Sequence, residues 1–169
     1  MRLHATLVLF TFLACSKEPA VPPANPTPPA ALAAPDDDCT WQTPLVPGIP
    51  GSPGNLIKSP RNPNGDSELA DLMRKCVEDL RNARSLIDAG EPVPAMFSKH
   101  RKMRCAWPTK PDQRNQDFDT RAQGYLAAVR AFDADPSRAN YNRIVDGCIH
   151  CHSNSCGGPL DFIDSMKWQ

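Results

Sequence analysis

From residue 66 onward, apolar positions recur at steps of three and four. Leu69, Leu72, Met73, Cys76, Val77, Leu80 and Ile87 fall on one face of a helix, with charged residues between them. Asp66 or Ser67 can cap its start, and Gly90 with Pro92 stops it, so a helix is predicted over 67–89. Pro94 suits the first turn of a second helix, in which Met96, His100, Met103 and Trp107 share one side until Pro108 and Pro111 end it. A third helix is predicted over 115–133 on the stripe Phe118, Ala122, Tyr125, Leu126, Val129 and Phe132. Asp135-Pro136 then stops the chain and restarts it, with Asp135 as N-cap and Pro136 at the first helical position. The fourth helix carries Tyr141, Ile144, Val145, Cys148, Cys151 and His152 on one face and closes at Gly157-Gly158-Pro159. A last turn around 161–166 packs back with Leu160, Phe162 and Ile163. No segment alternates with β-branched residues, so the expected fold class is all-α. Four amphipathic helices on short connections predict a four-helix bundle, because helices of this length need neighbours to bury their stripes.

The first 65 residues have a different texture. One early positive charge, Arg2, precedes an apolar run from Ala5 to Leu13 that ends Phe12-Leu13-Ala14-Cys15-Ser16. A charged start and a short apolar run have the form of a secretory signal, predicted here as residues 1–14. The junction resembles a bacterial lipobox, with Phe12 where leucine is usual. That resemblance implies lipidation of Cys15 and, with Ser16 following, an outer-membrane anchor. Of the 19 prolines in 169 residues, thirteen lie between Pro19 and Pro63. Residues 15–35 therefore read as a lipidated cysteine and an extended Pro/Ala-rich linker. Residues 36–65 read as an irregular Pro/Gly-rich segment, lying against the domain or disordered, and 66–169 as the folded helical domain. Nineteen basic and nineteen acidic residues give a formal net charge of zero, which argues against a nucleic-acid partner. No apolar run approaches the roughly 20 residues of a membrane-spanning helix.

The chemistry lies in Cys148-Ile149-His150-Cys151-His152, a Cys-x-x-Cys-His motif. Two thiols three apart on a helix point to nearly one side. They can add across the two vinyl groups at one haem edge. The histidine four residues after the first cysteine shares that side and can donate an imidazole nitrogen to iron. One covalent haem c on Cys148 and Cys151, with His152 as proximal ligand, is the expectation. Three other uses of these residues compete. A thioredoxin-like redox pair needs a βαβ pattern, which is absent. A zinc site would draw on Cys148, Cys151, His150 or His152, and Cys156, and its ligands are crowded for structural zinc. The third is a plain disulfide.

With that motif on the last helix of a bundle, residues 66 to about 156 resemble cytochrome c-prime and its low-spin, methionine-ligated relatives, the class II c-type cytochromes. The chain would be a divergent lipoprotein branch, since Ser155-Cys156-Gly157-Gly158-Pro159-Leu160 stands where the family usually has an aromatic-basic tail. The resemblance implies one-electron transfer. In the low-spin relatives a methionine at the place of Met73, in the Leu72-Met73 pair, ligates the iron from the far side. Such a ligand raises the potential. His100 is the rival distal ligand, because it shares an apolar face with Met96, Met103 and Trp107; Met96 and Met103 are further candidates. With none of these, a five-coordinate iron would bind or sense NO or CO instead.

Four further cysteines, Cys39, Cys76, Cys105 and Cys156, allow up to two disulfides in three pairings. Lys99, Arg101, Lys102 and Arg104 form a local basic cluster, a solvated face or a contact for haem propionates or an acidic redox partner. Nothing in the sequence reads as a substrate site, so no catalytic residue and no enzymatic activity are expected. The expected setting is the bacterial periplasm. The expected partners are a periplasmic or membrane redox protein and the membrane itself through the lipid anchor. Homodimerisation stays open. A lipoprotein with purely structural cysteines and no haem is the third reading.

Overall fold

A computed structural model describes residues 39–169. The expected signal peptide, the lipidated Cys15 and the 15–35 linker lie outside the described residues. The protein is all-α: α1 spans Glu68–Ala89, α2 Phe97–His100, α3 Gln116–Ala134, α4 Arg138–Ser155 and α5 Leu160–Asp164. Among the described residues there is no strand, only an isolated antiparallel bridge between Ile57 and Asp66. No helix there is long and apolar enough to cross a membrane.

The ends of α1 follow from the sequence. The Ser67 hydroxyl accepts the Ala70 N–H at 3.2 Å, and Gly90 ends the helix at φ 70°, a left-handed conformation that glycine takes without a side-chain penalty. Asn115 caps α3 by accepting the Phe118 N–H at 2.8 Å. In α4 the cap is Ser137 rather than the expected Asp135, and Pro136 stays outside the helix. Asp135 instead receives the side chains of Asn140 and Ser137.

The second helix departs most from expectation. In place of one helix from Pro94 towards Trp107 there is a single α turn, α2, continued by a 3₁₀ turn over Arg101–Arg104. Tertiary partners set both limits. The Asp133 carboxylate on α3 accepts the Met96 and Phe97 N–H groups at 2.9 Å each, which starts the helix at Phe97. At the other end Cys105 is bridged to Cys39, and Arg104 is buried against Asp119. Trp107 is drawn off as a strap, its N–H donating to Glu68 and its carbonyl accepting the Leu69 N–H, 2.9 Å each. Among the described residues, three of the four expected helices are long, the second is reduced to a short one, and the expected last turn forms α5.

The core is formed where the three stripes meet: Leu72, Leu80 and Ala83 from α1, Tyr125, Val129 and Phe132 from α3, Tyr141, Ile144 and Val145 from α4. The irregular segment is held against this body in three ways. Cys39 is bonded to Cys105, 66 residues on. Arg114 donates to the carbonyls of Thr40 and Thr43. The Trp107 indole N–H donates to the Val46 carbonyl at 2.7 Å.

Candidate functional site

The motif occupies the last turns of α4, where α3 lies close. Gly147, just before Cys148, makes this approach possible: a Cβ there would sit 3.3 Å from Tyr125 Cα and its ring. The two helices thus bring Tyr125 beside the cysteine pair.

A cavity of about 860 Å³ opens in front of that pair. The volume lies within the roughly 300–1,000 Å³ of small-molecule and cofactor pockets. Cys148, Cys151 and His152 line one side of it. Leu69, Met73, Cys76 and Val77 line it from α1, and Phe118 and Tyr125 from α3. Phe162, Ile163 and Met166 close it from the C-terminal segment. Around it stand Lys58, Arg61 and Lys110, all exposed, together with cations that already have partners. Arg74 is bound to Asp66 at 2.7 Å, Lys75 to Asp71 at 2.6 Å, and Arg81 lies over the Phe162 ring.

His152 is oriented by the end of its own helix. Its Nδ1 lies 2.9 Å from the Cys156 carbonyl, which can only accept, so Nδ1 carries the hydrogen. In the neutral ring Nε2 then keeps its lone pair, the arrangement usual for a metal-binding histidine. His150 is exposed and does not line the cavity.

Burial governs the thiols. It pushes the Cys148 thiol up to about 12, and the neighbouring Cys76 and Cys151 add to the effect. Burial likewise takes Cys76 to about 12, with Asp79 contributing, and raises Cys151. These groups stay protonated near neutrality, so the folded cavity does not by itself generate the reactive thiolate.

The candidate distal ligands separate. Met73 and Met103 line the cavity; Met96 and His100 do not. His100 is fully buried, and both ring nitrogens are engaged: Nδ1 with the Tyr125 hydroxyl at 2.8 Å, Nε2 with Asp79 at 3.2 Å. Met166 also lines the cavity and was missed from the sequence; its signal is the spacing Ile163–Met166 after the Gly-Gly-Pro stop. The Lys99–Arg104 cluster is dispersed. Lys99 pairs with Asp79, Arg104 with Asp119, and none of the four lines the cavity.

Of the three open disulfide pairings, the structure contains Cys39–Cys105, while Cys76, Cys148, Cys151 and Cys156 are free thiols. Among the described residues no three His, Cys, Asp or Glu side chains converge as a metal-ion site, so the crowded zinc arrangement is not assembled. No protein-family model, curated protein or solved structure matches the chain.

Proposed function

We propose that the chain is a monohaem c-type cytochrome that transfers one electron at a time. One observation carries this reading: Cys148, Cys151 and His152 line a cofactor-sized cavity whose facing helix supplies Met73. The cysteines would hold one haem c through thioethers, each sulfur bonding to a vinyl carbon. His152 would ligate the iron through Nε2, kept available by the bond from Nδ1 to the Cys156 carbonyl. Met73 is the proposed distal ligand; His100 is left out, since it does not line the cavity and both its nitrogens are already engaged. Bound haem supplies the Fe(III)/Fe(II) couple. The chain's apolar walls exclude water, and Lys58, Arg61 and Lys110 offer positive charge for the propionates. In this reading the helical body is the class II cytochrome bundle with its second helix shortened, and no enzymatic step is required.

The Cys39–Cys105 bridge supports an oxidising compartment, hence the periplasm. With the lipobox-like Cys15, this favours a protein tethered to the outer membrane and exchanging electrons with a periplasmic or membrane redox partner. The five-coordinate alternative, binding NO or CO, is favoured by the largely apolar wall of Leu69, Val77 and Phe118 around Met73.

The test is the visible spectrum of the reduced protein made in a host with haem-attachment machinery. A sharp, split low-spin pattern that survives acid-acetone extraction is expected. Met73→Leu should turn it high-spin, and Cys148→Ala with Cys151→Ala should abolish covalent retention. A broad high-spin spectrum in the parent would favour gas binding. No haem band at all would sink the cytochrome reading.

A further inference from the structure

A buried hydrogen-bonded chain leads from the cavity to solvent, and the electron-transfer site does not use it. Tyr125 lines the cavity and is 4% exposed. Its hydroxyl lies 2.8 Å from His100 Nδ1, and His100 is 0% exposed. His100 Nε2 lies 3.2 Å from Asp79 Oδ2, and the Asp79 side chain is 23% exposed. His100 is thus wholly enclosed in the helical core, bonded at both nitrogens and facing a carboxylate.

In the neutral ring the hydrogens have one consistent assignment. Nε2–H donates to the Asp79 carboxylate, and Nδ1 accepts the Tyr125 O–H. A proton added to the ring goes on Nδ1, which then donates to the Tyr125 oxygen. The tyrosyl hydrogen is released to turn towards Cys76, the other polar neighbour of that hydroxyl on the cavity wall.

We propose that the protein takes up a proton with its electron, and that His100 is the site where the proton binds. This rests on the cytochrome reading above. The balance is simple. Oxidised protein with neutral His100, plus one electron from a reduced metalloprotein partner and one proton from solvent, gives reduced protein with His100 as imidazolium. No bond other than N–H forms. The electron adds negative charge to the cavity, and in a low-dielectric interior a nearby cation offsets it. Burial holds His100 below its ordinary range in the protein without cofactor, so the ring is poised as the neutral form that a nearby negative charge would protonate.

The groups facing His100 are few. Asp79 comes from α1, with Cys76 one turn before it; Lys99 adjoins on α2; Tyr125 and Asp133 come from α3. Lys99 is held by Asp79, its Nζ donating to Oδ1 at 2.7 Å. Cys76 and Tyr125 are pushed up by burial and stay neutral, so among these groups the imidazole is the one that changes charge.

The experiment measures the midpoint potential of haem-loaded protein between about pH 5 and pH 8, where histidines titrate. The potential should fall as pH rises, approaching a tenfold change in the redox equilibrium, or about 59 mV, per pH unit. His100→Gln should flatten the line. Asp79→Asn, at a partly exposed position, should move the sloping window to lower pH by removing the carboxylate that supports the imidazolium. If His100→Gln does not fold, NMR titration of the His100 ring in the reduced and oxidised parent replaces it, with a higher pKa expected when reduced. A flat parent line overturns the proposal; so does an unchanged slope in His100→Gln, an unmoved window in Asp79→Asn, or one pKa in both redox states. A preparation with no haem band fails the cytochrome reading itself, whereas a loaded protein with a pH-independent potential fails only this inference.

Discussion

Asp119 loses nearly all its water when α3 packs, yet it stays ionised. Burial pushes its carboxyl up, but the bonds from Arg104 at 2.7 and 3.1 Å and from Gln123 at 2.8 Å hold it below its ordinary value. A carboxylate depressed in the folded state contributes stability above its unfolded pKa, near 3.9, and loses it as pH falls through the folded value. Asp66, fully buried against Arg74, has the same sign. The melting temperature should therefore drop steeply below about pH 4. Asp119→Leu takes the carboxylate from a buried guanidinium and should cost about 3–5 kcal/mol, read by denaturant unfolding. It should also flatten part of the acid limb; a variant as stable as the parent would mean the pair is not enclosed as described.

Helices α3 and α4 meet at Gly147, and that contact sets where the cysteine pair stands relative to Tyr125. Two added methyl groups at this position have nowhere to go without moving Tyr125. Gly147→Val should cost about 1–3 kcal/mol by overpacking and should lower haem retention, since the cavity wall shifts with α3. A helix at an exposed position would show no such coupled loss. Normal stability together with normal haem loading would show that the close approach is not required. At the same scale, α2 is short because its neighbours end it. The Met96 and Phe97 N–H groups at its start belong to Asp133 on α3, and the 3₁₀ turn that continues it runs into Arg104, paired with Asp119, and Cys105, bonded to Cys39.

For the whole molecule, the Cys39–Cys105 bridge closes a loop of 66 residues. It fastens the irregular segment, from residue 39 on, to the helical body. Removing it with Cys39→Ser and Cys105→Ser should cost about 4 kcal/mol and about 10 °C in melting temperature. Hydrogen exchange should speed up over residues 40–46, which lean on Arg114 and Trp107. The cavity is lined by other residues, so haem loading should persist. Loss of loading on removal of the bridge would tie the site to this segment instead.

The helical periodicity, the Ser67 and Gly90 caps of α1 and the Cys-x-x-Cys-His spacing are local properties of the chain, and they were legible in the sequence. The starts of α1 and α3 fell within a residue of expectation because Ser67 and Asn115 bond only three positions ahead. The four-residue step from Cys148 to His152 likewise fixes a shared face wherever the helix lies. What the sequence could not fix depends on partners far along the chain. The apolar face of Met96, His100 and Met103 read as one helix, but Asp133, Cys39 and Asp119 cut it short. His100 read as a rival ligand because periodicity shows only a shared face. Tyr125 and Asp79, 25 and 21 residues away, decide that both its nitrogens are already engaged. Met73, Met103 and Met166 are alike as stripe residues, and only the packing of three separate segments brings them to one cavity with the motif. Short-range hydrogen bonds and helical pitch are written in neighbouring residues, whereas burial and hydrogen-bond partnership are settled by which distant surfaces close over a side chain.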